Sequence, residues 1–145
     1  MSNNKNAEQQ KLSALAAIED RIGAKTAVVG RRRWWRQTED GKTSLFLTYS
    51  RMHNGGSYPF FYDVNARDLK TWCAFSRAGV VFVMGSPEQM LLVPAKTMRE
   101  IVANLVPTGL GDIKLHLGTF ENDSTVFFRE APDRDLSEFM NNFDF

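Results

Sequence analysis

The sequence contains a single cysteine, Cys73, and only two histidines, His53 and His116, which lie far apart in the chain. One cysteine excludes an internal disulfide framework and is typical of a reducing compartment. One cysteine and two separated histidines also cannot supply the ligands of a Cys/His zinc site. We therefore predict no bound metal and no cofactor.

Long apolar runs are also missing, and none approaches the roughly 18 residues that a membrane span requires. The first six residues are polar and lack the apolar core of a signal peptide. These absences predict a cytoplasmic protein that does not bind a membrane. They also predict that residues 1–6 are disordered.

What the chain does contain is ordinary for a folded protein. Its 145 residues are 43% hydrophobic and 24% charged, which is too apolar for a disordered chain. The length is close to that of one domain and too short for two ordinary ones. We therefore predict a single domain over residues 1–145.

The charges are distributed unevenly, although the net charge is only +1. Residues 21–51 carry eight basic and two acidic side chains, a balance of +6. Residues 119–145 carry seven acidic and two basic side chains, a balance of −5. This asymmetry is typical of a nucleic-acid surface with an acidic end. It is equally consistent with two regions that pair with each other in the fold.

The apolar pattern predicts helices and strand pairs along the chain. Helical spacing indicates a helix over residues 7–22 and another over 95–106, and Asn65 is a candidate cap for a helix over 66–76. A short closing helix is expected over 137–143. The strands are predicted to form three hairpins, in which residues 27–37 pair with 43–50, 80–84 with 90–94, and 113–119 with 125–129. A further strand is predicted over residues 58–64. The predicted class is α+β: a mixed, largely antiparallel sheet with helices packed on it.

The first hairpin carries the most distinctive sequence, Arg31-Arg-Arg-Trp-Trp-Arg36. If Asp40-Gly41 is a two-residue turn, then Trp35 lies opposite Phe46 on one face. Arg31 and Arg33 share that face, whereas Trp34, Leu45, Leu47 and Tyr49 share the other and are predicted to be core. Aromatic and arginine side chains on one face favour stacking on bases and contact with phosphates. The alternative is a second helix that packs over Trp35 and Phe46, with the arginines reaching solvent.

The third hairpin follows the same logic, with its turn at Asn122-Asp123. One face is predicted to be core and holds Ile113, Leu115, Leu117, Val126 and Phe128. The other face holds Lys114, His116, Phe120, Thr125, Phe127 and Arg129. If both hairpins belong to one sheet, the two polar-aromatic faces form a continuous platform. Otherwise they are two separate, half-covered faces.

Candidate catalytic residues are few, and no complete motif is present. A metal-dependent nuclease needs carboxylates that hold a metal and a lysine nearby, and a weak match is offered by Asp63, Asp112 and Lys114. In Asp112-Ile-Lys114 the carboxylate and the amine lie on the same side of a strand. Solvated surface charges are the simpler interpretation of these three residues. His116 is a further candidate, although a lone strand histidine is more often structural. Cys73 is expected to be a buried small residue.

One wider pattern covers about residues 43–143. It runs from Tyr49-Ser50-Arg51 through Tyr58-Pro-Phe-Phe, Val80-Val-Phe-Val-Met-Gly85 and Leu91-Leu-Val-Pro94 to Ile113-Lys-Leu-His116. This pattern is similar to an uncharacterised bacterial α+β domain, and it resembles the trailing part of restriction-endonuclease-like folds. The resemblance implies a setting in DNA restriction, repair or mobile elements. The acidic residues and the Glu-x-Lys strand of an active nuclease of that kind are not evident.

The sequence thus favours a non-catalytic module that binds nucleic acid, with DNA the expected partner. The residues assigned to this binding are Arg31, Arg33, Trp35, Phe46, Arg51 and Lys114. Two alternatives stay open. One is a protein-interaction module or homodimer, since interface hot spots use the same residue types. The other is a metal-dependent nuclease that uses Asp63, Asp112 and Lys114.

Overall fold

The computed structural model describes residues 2–53, 56–72, 77–109, 111–120 and 125–144. Cys73 and the predicted turn at Asn122-Asp123 lie outside this range, as does the predicted end of the second helix at residue 76. The α+β class is confirmed. The strands form two sheets rather than the single sheet expected, one of five strands and one of three.

Helices interrupt the succession of strands along the chain. In sequence order the elements are α1 (Ser2–Ile22), β1 (Thr26–Val29), β2 (Arg32–Thr38), β3 (Thr43–Ser50), β4 (Phe60–Asn65), α2 (Ala66–Trp72), β5 (Arg77–Met84), β6 (Met90–Pro94), α3 (Ala95–Val102), β7 (Asp112–Phe120), β8 (Thr125–Phe128) and a 3₁₀ turn (Ser137–Phe139). Within the described residues, no helix is both long and apolar enough to cross a membrane.

Helix α1 covers one face of the five-stranded sheet. Its buried residues Ala14, Leu15 and Ile18 form a core cluster with Leu45 and Leu47 of β3. The helix begins at Ser2 and so includes residues 2–6, for which the sequence predicts disorder. Residues 2–6 read Ser-Asn-Asn-Lys-Asn, in which only Lys5 is a strong helix former, so their sequence does not predict this extension.

The predicted long strand over residues 27–37 is divided into two paired strands. Gly30 has a φ of 57°, a left-handed conformation that glycine adopts without strain. The chain therefore reverses direction at Gly30. Strand β2 runs back along β1 as its antiparallel neighbour, with Ala27 opposite Gln37. The prediction missed this turn because only one glycine marks it.

The predicted register is confirmed for the paired residues 35–37 of the first hairpin and 117–120 of the third. Trp35 lies opposite Phe46 in the first hairpin, and Leu117 lies opposite Phe128 in the third. The first hairpin belongs to the five-stranded sheet, whose order is β1-β2-β3-β5-β6, and the third to the three-stranded sheet, whose order is β4-β7-β8. The hypothesis of one continuous platform is therefore wrong, because the two polar-aromatic faces lie on different sheets.

The main core lies between the two sheets. Strands β5 and β6 are buried on both faces, as their continuous apolar sequence predicts, and β5 runs parallel to β3. At the centre, the Phe82 ring contacts Tyr62 edge-on at 4.9 Å and Phe128 at 5.1 Å, measured between ring centroids. The Tyr62 hydroxyl donates to the Val83 carbonyl at 2.9 Å, and burial raises the pKa of this phenol well above its ordinary value.

The predicted helix boundaries differ in two places. Asn65 caps α2 as expected, because its side-chain oxygen accepts from the backbone N–H groups of Arg67 and Asp68 at 3.0 and 3.3 Å. Helix α3 ends at Val102, four residues earlier than predicted. The proline after Val106 disfavours helical conformation at Val106 itself, and nothing in the sequence marks the earlier end. The closing helix is only the 3₁₀ turn.

Candidate functional site

The two aromatic residues assigned to the first hairpin face are half-buried against the core between the sheets. Trp35 and Phe46 both pack against the cluster that contains Phe82 and Phe128. The Trp35 indole N–H donates to the Ser44 hydroxyl at 2.6 Å. The two rings therefore face the protein interior, as in the alternative, but the cluster that they join is built from strands of both sheets and from α2 and α3 rather than from one second helix.

The Arg33 guanidinium contacts α1, which packs on the opposite face of the sheet from Trp35, so Arg33 does not share the face that the sequence predicted for it. Its guanidinium forms an ion pair with Glu8 and lies 5.3 Å from the centre of the Trp34 ring. Lys11 lies over the same ring at 4.7 Å, and burial together with the nearby Arg33 lowers its pKa, although Glu8 opposes this shift. Trp34 itself packs against the α1 core cluster, as predicted for its face.

The remaining assigned residues are dispersed. Arg31 and Arg51 are exposed beside strands of the five-stranded sheet, whereas Lys114 belongs to the three-stranded sheet. The structure therefore does not gather the six residues assigned to nucleic-acid binding into one surface.

The outward side of the three-stranded sheet carries a different cluster, which we call the outer sheet face. Strand alternation buries Phe60, Tyr62, Ile113, Leu115, Leu117, Val126 and Phe128 in the core. The residues between them point the other way, and none of their side chains belongs to a hydrophobic core cluster of the described chain. The outer sheet face consists of Phe61, Asp63, Lys114, His116, Phe120, Phe127 and Arg129, with Tyr58 at one end.

Three rings pack together at that end of the outer sheet face. Phe120 and Phe127 are stacked with their centroids 4.5 Å apart. Tyr58 meets both edge-on, at 5.3 Å from Phe120 and 6.1 Å from Phe127. All three side chains are half-buried, so ring surface is accessible from solvent.

Gly118 lies beneath this cluster and lets the chain before β4 cross the sheet. A Cβ at this position would overlap the Ser57 carbonyl oxygen and stand 2.9 Å from the Phe120 ring. The sheet end thus accommodates Tyr58 only because residue 118 has no side chain.

Replacing Gly118 with alanine is expected to lower the free energy of unfolding by about 1–3 kcal/mol, because the added methyl overpacks this site. Gly109→Ala is the matched control, since nothing lies within 4 Å of a Cβ there. Urea unfolding of both variants measures the difference. Equal stability of the two variants would contradict the described crossing of Ser57 over Gly118.

His116 is held at the middle of the face by Glu130. The Glu130 carboxylate accepts from the His116 backbone N–H and from ring Nδ1, both at 2.7 Å. The imidazole also packs against the Phe61 ring at 4.9 Å between centroids. Its side chain is 25% exposed, and no hydrogen bond to Nε2 is present among the described residues. The ring is therefore oriented by one nitrogen and open at the other.

Two cations flank His116. Lys114 lies 5.2 Å from the centre of the Phe61 ring and pairs with Asp63 at 3.2 Å, and both charged side chains are about half exposed. Arg129 continues the β7–β8 ladder by donating its backbone N–H to the His116 carbonyl at 2.7 Å. Its guanidinium lies 3.4 Å from the Glu130 carboxylate and is 57% exposed.

The three residues of the nuclease alternative also lie on this side of the sheet. Asp63 pairs with Lys114 across β4 and β7, and the next register pair on this side is Asn65 with Asp112. The Asn65 amide donates to Asp112 at 3.3 Å. Among the residues that the structure describes, no group of three or more histidine, cysteine, aspartate or glutamate side chains could hold a metal ion.

Sequence reasoning placed Lys114, His116, Phe120 and Phe127 on one face, and the structure agrees. It missed Glu130 and Phe61. Glu130 lies 14 residues from His116 and just beyond β8, so no strand pattern includes it. Phe61 lies within a run of three aromatic residues, Phe60-Phe61-Tyr62, in which no polar alternation indicates the buried side.

Comparisons with models of known protein families, with curated proteins and with solved structures gave no significant match. The resemblance to restriction-endonuclease-like folds stays a prediction.

Proposed function

We propose that this domain binds single-stranded nucleic acid on the outer sheet face. One observation carries the proposal: half-buried rings and two exposed cations share the side of one sheet on which no core cluster of the described residues packs. Each cation also has a carboxylate beside it, Asp63 at Lys114 and Glu130 at Arg129. Phe61 and Phe127 are the rings on which bases stack, and Lys114 and Arg129 contact phosphates. Proteins that bind unpaired strands combine stacking of bases on aromatic side chains with cationic contacts to the backbone.

The arrangement favours single strands over duplexes. Stacking on a sheet requires bases that have left their own stack, which single strands provide. Reading a DNA duplex generally requires a helix or a two-stranded ribbon that enters the major groove. The rings of the outer sheet face lie on the broad side of a three-stranded sheet instead.

The proposal keeps the class of partner that the sequence favoured and changes the surface. Lys114 belongs both to the residues that the sequence assigned to binding and to the outer sheet face. The proposed stacking rings are now Phe61 and Phe127 instead of Trp35 and Phe46. DNA, the partner expected from the sequence, and RNA are both tested below. A homodimer or another protein partner on the same face is the competing proposal.

Lys114→Ala is expected to weaken binding of a single-stranded oligonucleotide and to flatten its salt dependence. Each phosphate contact contributes about 0.7 to the slope of log affinity against log salt for single strands, because it releases a counterion. Fluorescence anisotropy of a labelled oligonucleotide, measured over a range of salt concentrations, gives this slope. The matched control is Lys25→Ala. The Lys25 side chain is 92% exposed and lies just before β1, away from the outer sheet face.

The outcomes separate the proposals. A slope reduced by Lys114→Ala and unchanged by Lys25→Ala supports binding at the outer sheet face. Equal slopes in both variants would contradict phosphate contact by Lys114. Failure of the wild type to bind DNA or RNA at low salt, together with self-association in light scattering, would favour the homodimer.

A further inference from the structure

The His116–Glu130 pair has a geometry that nucleic-acid binding alone does not require. Both Glu130 oxygens accept hydrogen bonds from His116, one from the backbone N–H and one from ring Nδ1, and the second oxygen also lies 3.4 Å from the Arg129 guanidinium. A carboxylate accepts hydrogen bonds and cannot donate them when ionised. The neutral imidazole therefore carries its proton on Nδ1 and its lone pair on Nε2. A carboxylate that orients histidine in this way is a recurring element of general-base catalysis.

The surroundings of Nε2 suit a phosphodiester. Lys114 lies two residues earlier on the same side of β7, and Arg129 hydrogen-bonds to the His116 backbone from the neighbouring chain segment. Cations placed beside a reacting phosphate stabilise the negative charge that develops in its transition state. Phe61, in contact with the imidazole, supplies a stacking surface for a base next to that phosphate.

We propose that the outer sheet face cleaves single-stranded RNA without a metal ion, with His116 as the general base. The proposal rests on the proposed function, since the strand must first bind there. Glu130 is a positioning residue for His116. Lys114 and Arg129 hold the phosphate.

The reaction is a transesterification within the RNA. His116 Nε2 takes the proton of a ribose 2′-hydroxyl, and the 2′-oxygen forms a bond to the adjacent phosphorus. The bond from phosphorus to the 5′-oxygen of the next nucleotide breaks, and that oxygen takes a proton from solvent. The products are a 2′,3′-cyclic phosphate and a 5′-hydroxyl, after which His116 releases its proton to solvent. DNA has no 2′-hydroxyl, so it is bound and not cleaved.

The test uses the full chain with a labelled single-stranded RNA and the DNA of the same sequence, both in excess EDTA. Wild-type protein is expected to cleave only the RNA and to leave a 2′,3′-cyclic phosphate that mass spectrometry identifies. His116→Ala is expected to lose at least about 100-fold in rate, which is the lower range of general-base contributions. His53→Ala is the matched control, because His53 is exposed in the loop before β4.

Two further measurements keep the result interpretable. Binding of DNA by His116→Ala, together with its thermal melting, shows whether the variant is folded. Glu130→Gln is expected to lower kcat by a larger factor than it changes KM, because it disturbs the orientation of the base and approaches the phosphate-holding residues only at Arg129, at 3.4 Å. A folded Glu130→Gln variant with wild-type kcat would overturn the assigned role of Glu130.

The failure of cleavage is distinguishable from the failure of binding. RNA that is bound and stays intact in EDTA would overturn the cleavage proposal and leave the binding proposal standing. Cleavage that survives His116→Ala would also overturn it. If neither RNA nor DNA binds, both proposals are wrong.

Discussion

Replacing Phe61 and Phe127 together by leucine is expected to weaken binding of a single-stranded oligonucleotide by between about 30-fold and about 10⁴-fold. Stacking of a base on an aromatic side chain contributes about 1–3 kcal/mol, so two lost stacking sites remove about 2–6 kcal/mol. A factor of ten in affinity corresponds to about 1.4 kcal/mol. Leucine retains an apolar side chain at each position and removes only the ring.

Phe46→Leu is the matched control for this double variant. Phe46 is also a half-buried phenylalanine on a strand, and the sequence assigned it to the same function. Fluorescence anisotropy gives the affinities, and thermal melting shows that each variant is folded. Weakening by Phe46→Leu with no effect of the double variant would return the binding surface to the first hairpin and contradict the proposed function.

The second large effect concerns stability. Phe82→Ala is expected to lower the free energy of unfolding by about 3–5 kcal/mol, the usual cost of truncating a buried phenylalanine. Phe82 is fully buried on β5 and meets Tyr62 of β4 and Phe128 of β8, so it joins the two sheets. A loss of this size is a large part of the roughly 5–15 kcal/mol that stabilises most folded domains.

Urea unfolding of Phe82→Ala measures the loss, with Phe82→Leu as the companion variant. Leucine fills much of the space and is expected to cost less than alanine, because the remaining cavity is smaller. A loss below about 1 kcal/mol for Phe82→Ala would contradict the described packing between the sheets.

Local sequence determined the strand registers well. A two-residue turn fixes which residues lie opposite each other, so the position of Asp40-Gly41 is enough to place Trp35 opposite Phe46. The division into two sheets was not predictable in this way. Strand β4 follows β3 in the chain but pairs with β7, about fifty residues later. The sequence of β4 does not indicate with which strand it pairs.

The same limit applies to the candidate site. Period-two alternation predicted that Lys114, His116 and Phe127 share a face. Alternation shows which residues share a face but does not show what covers that face. The first hairpin was therefore assigned to binding, whereas in the structure its Trp35 and Phe46 side chains pack against the core between the sheets. Glu130 joins His116 only through tertiary structure, so the pair could not be recognised in the sequence.

The most direct test of binding at the outer sheet face is an NMR titration of ¹⁵N-labelled protein with a short single-stranded oligonucleotide at low salt. The account predicts that the largest shift changes fall on Phe61, Lys114, His116 and Phe127, whose backbone amides lie in β4, β7 and β8. The amides of Arg31 and Arg33 are expected to change little. The largest changes at β2 and β3, or no change anywhere in the spectrum, would contradict the account.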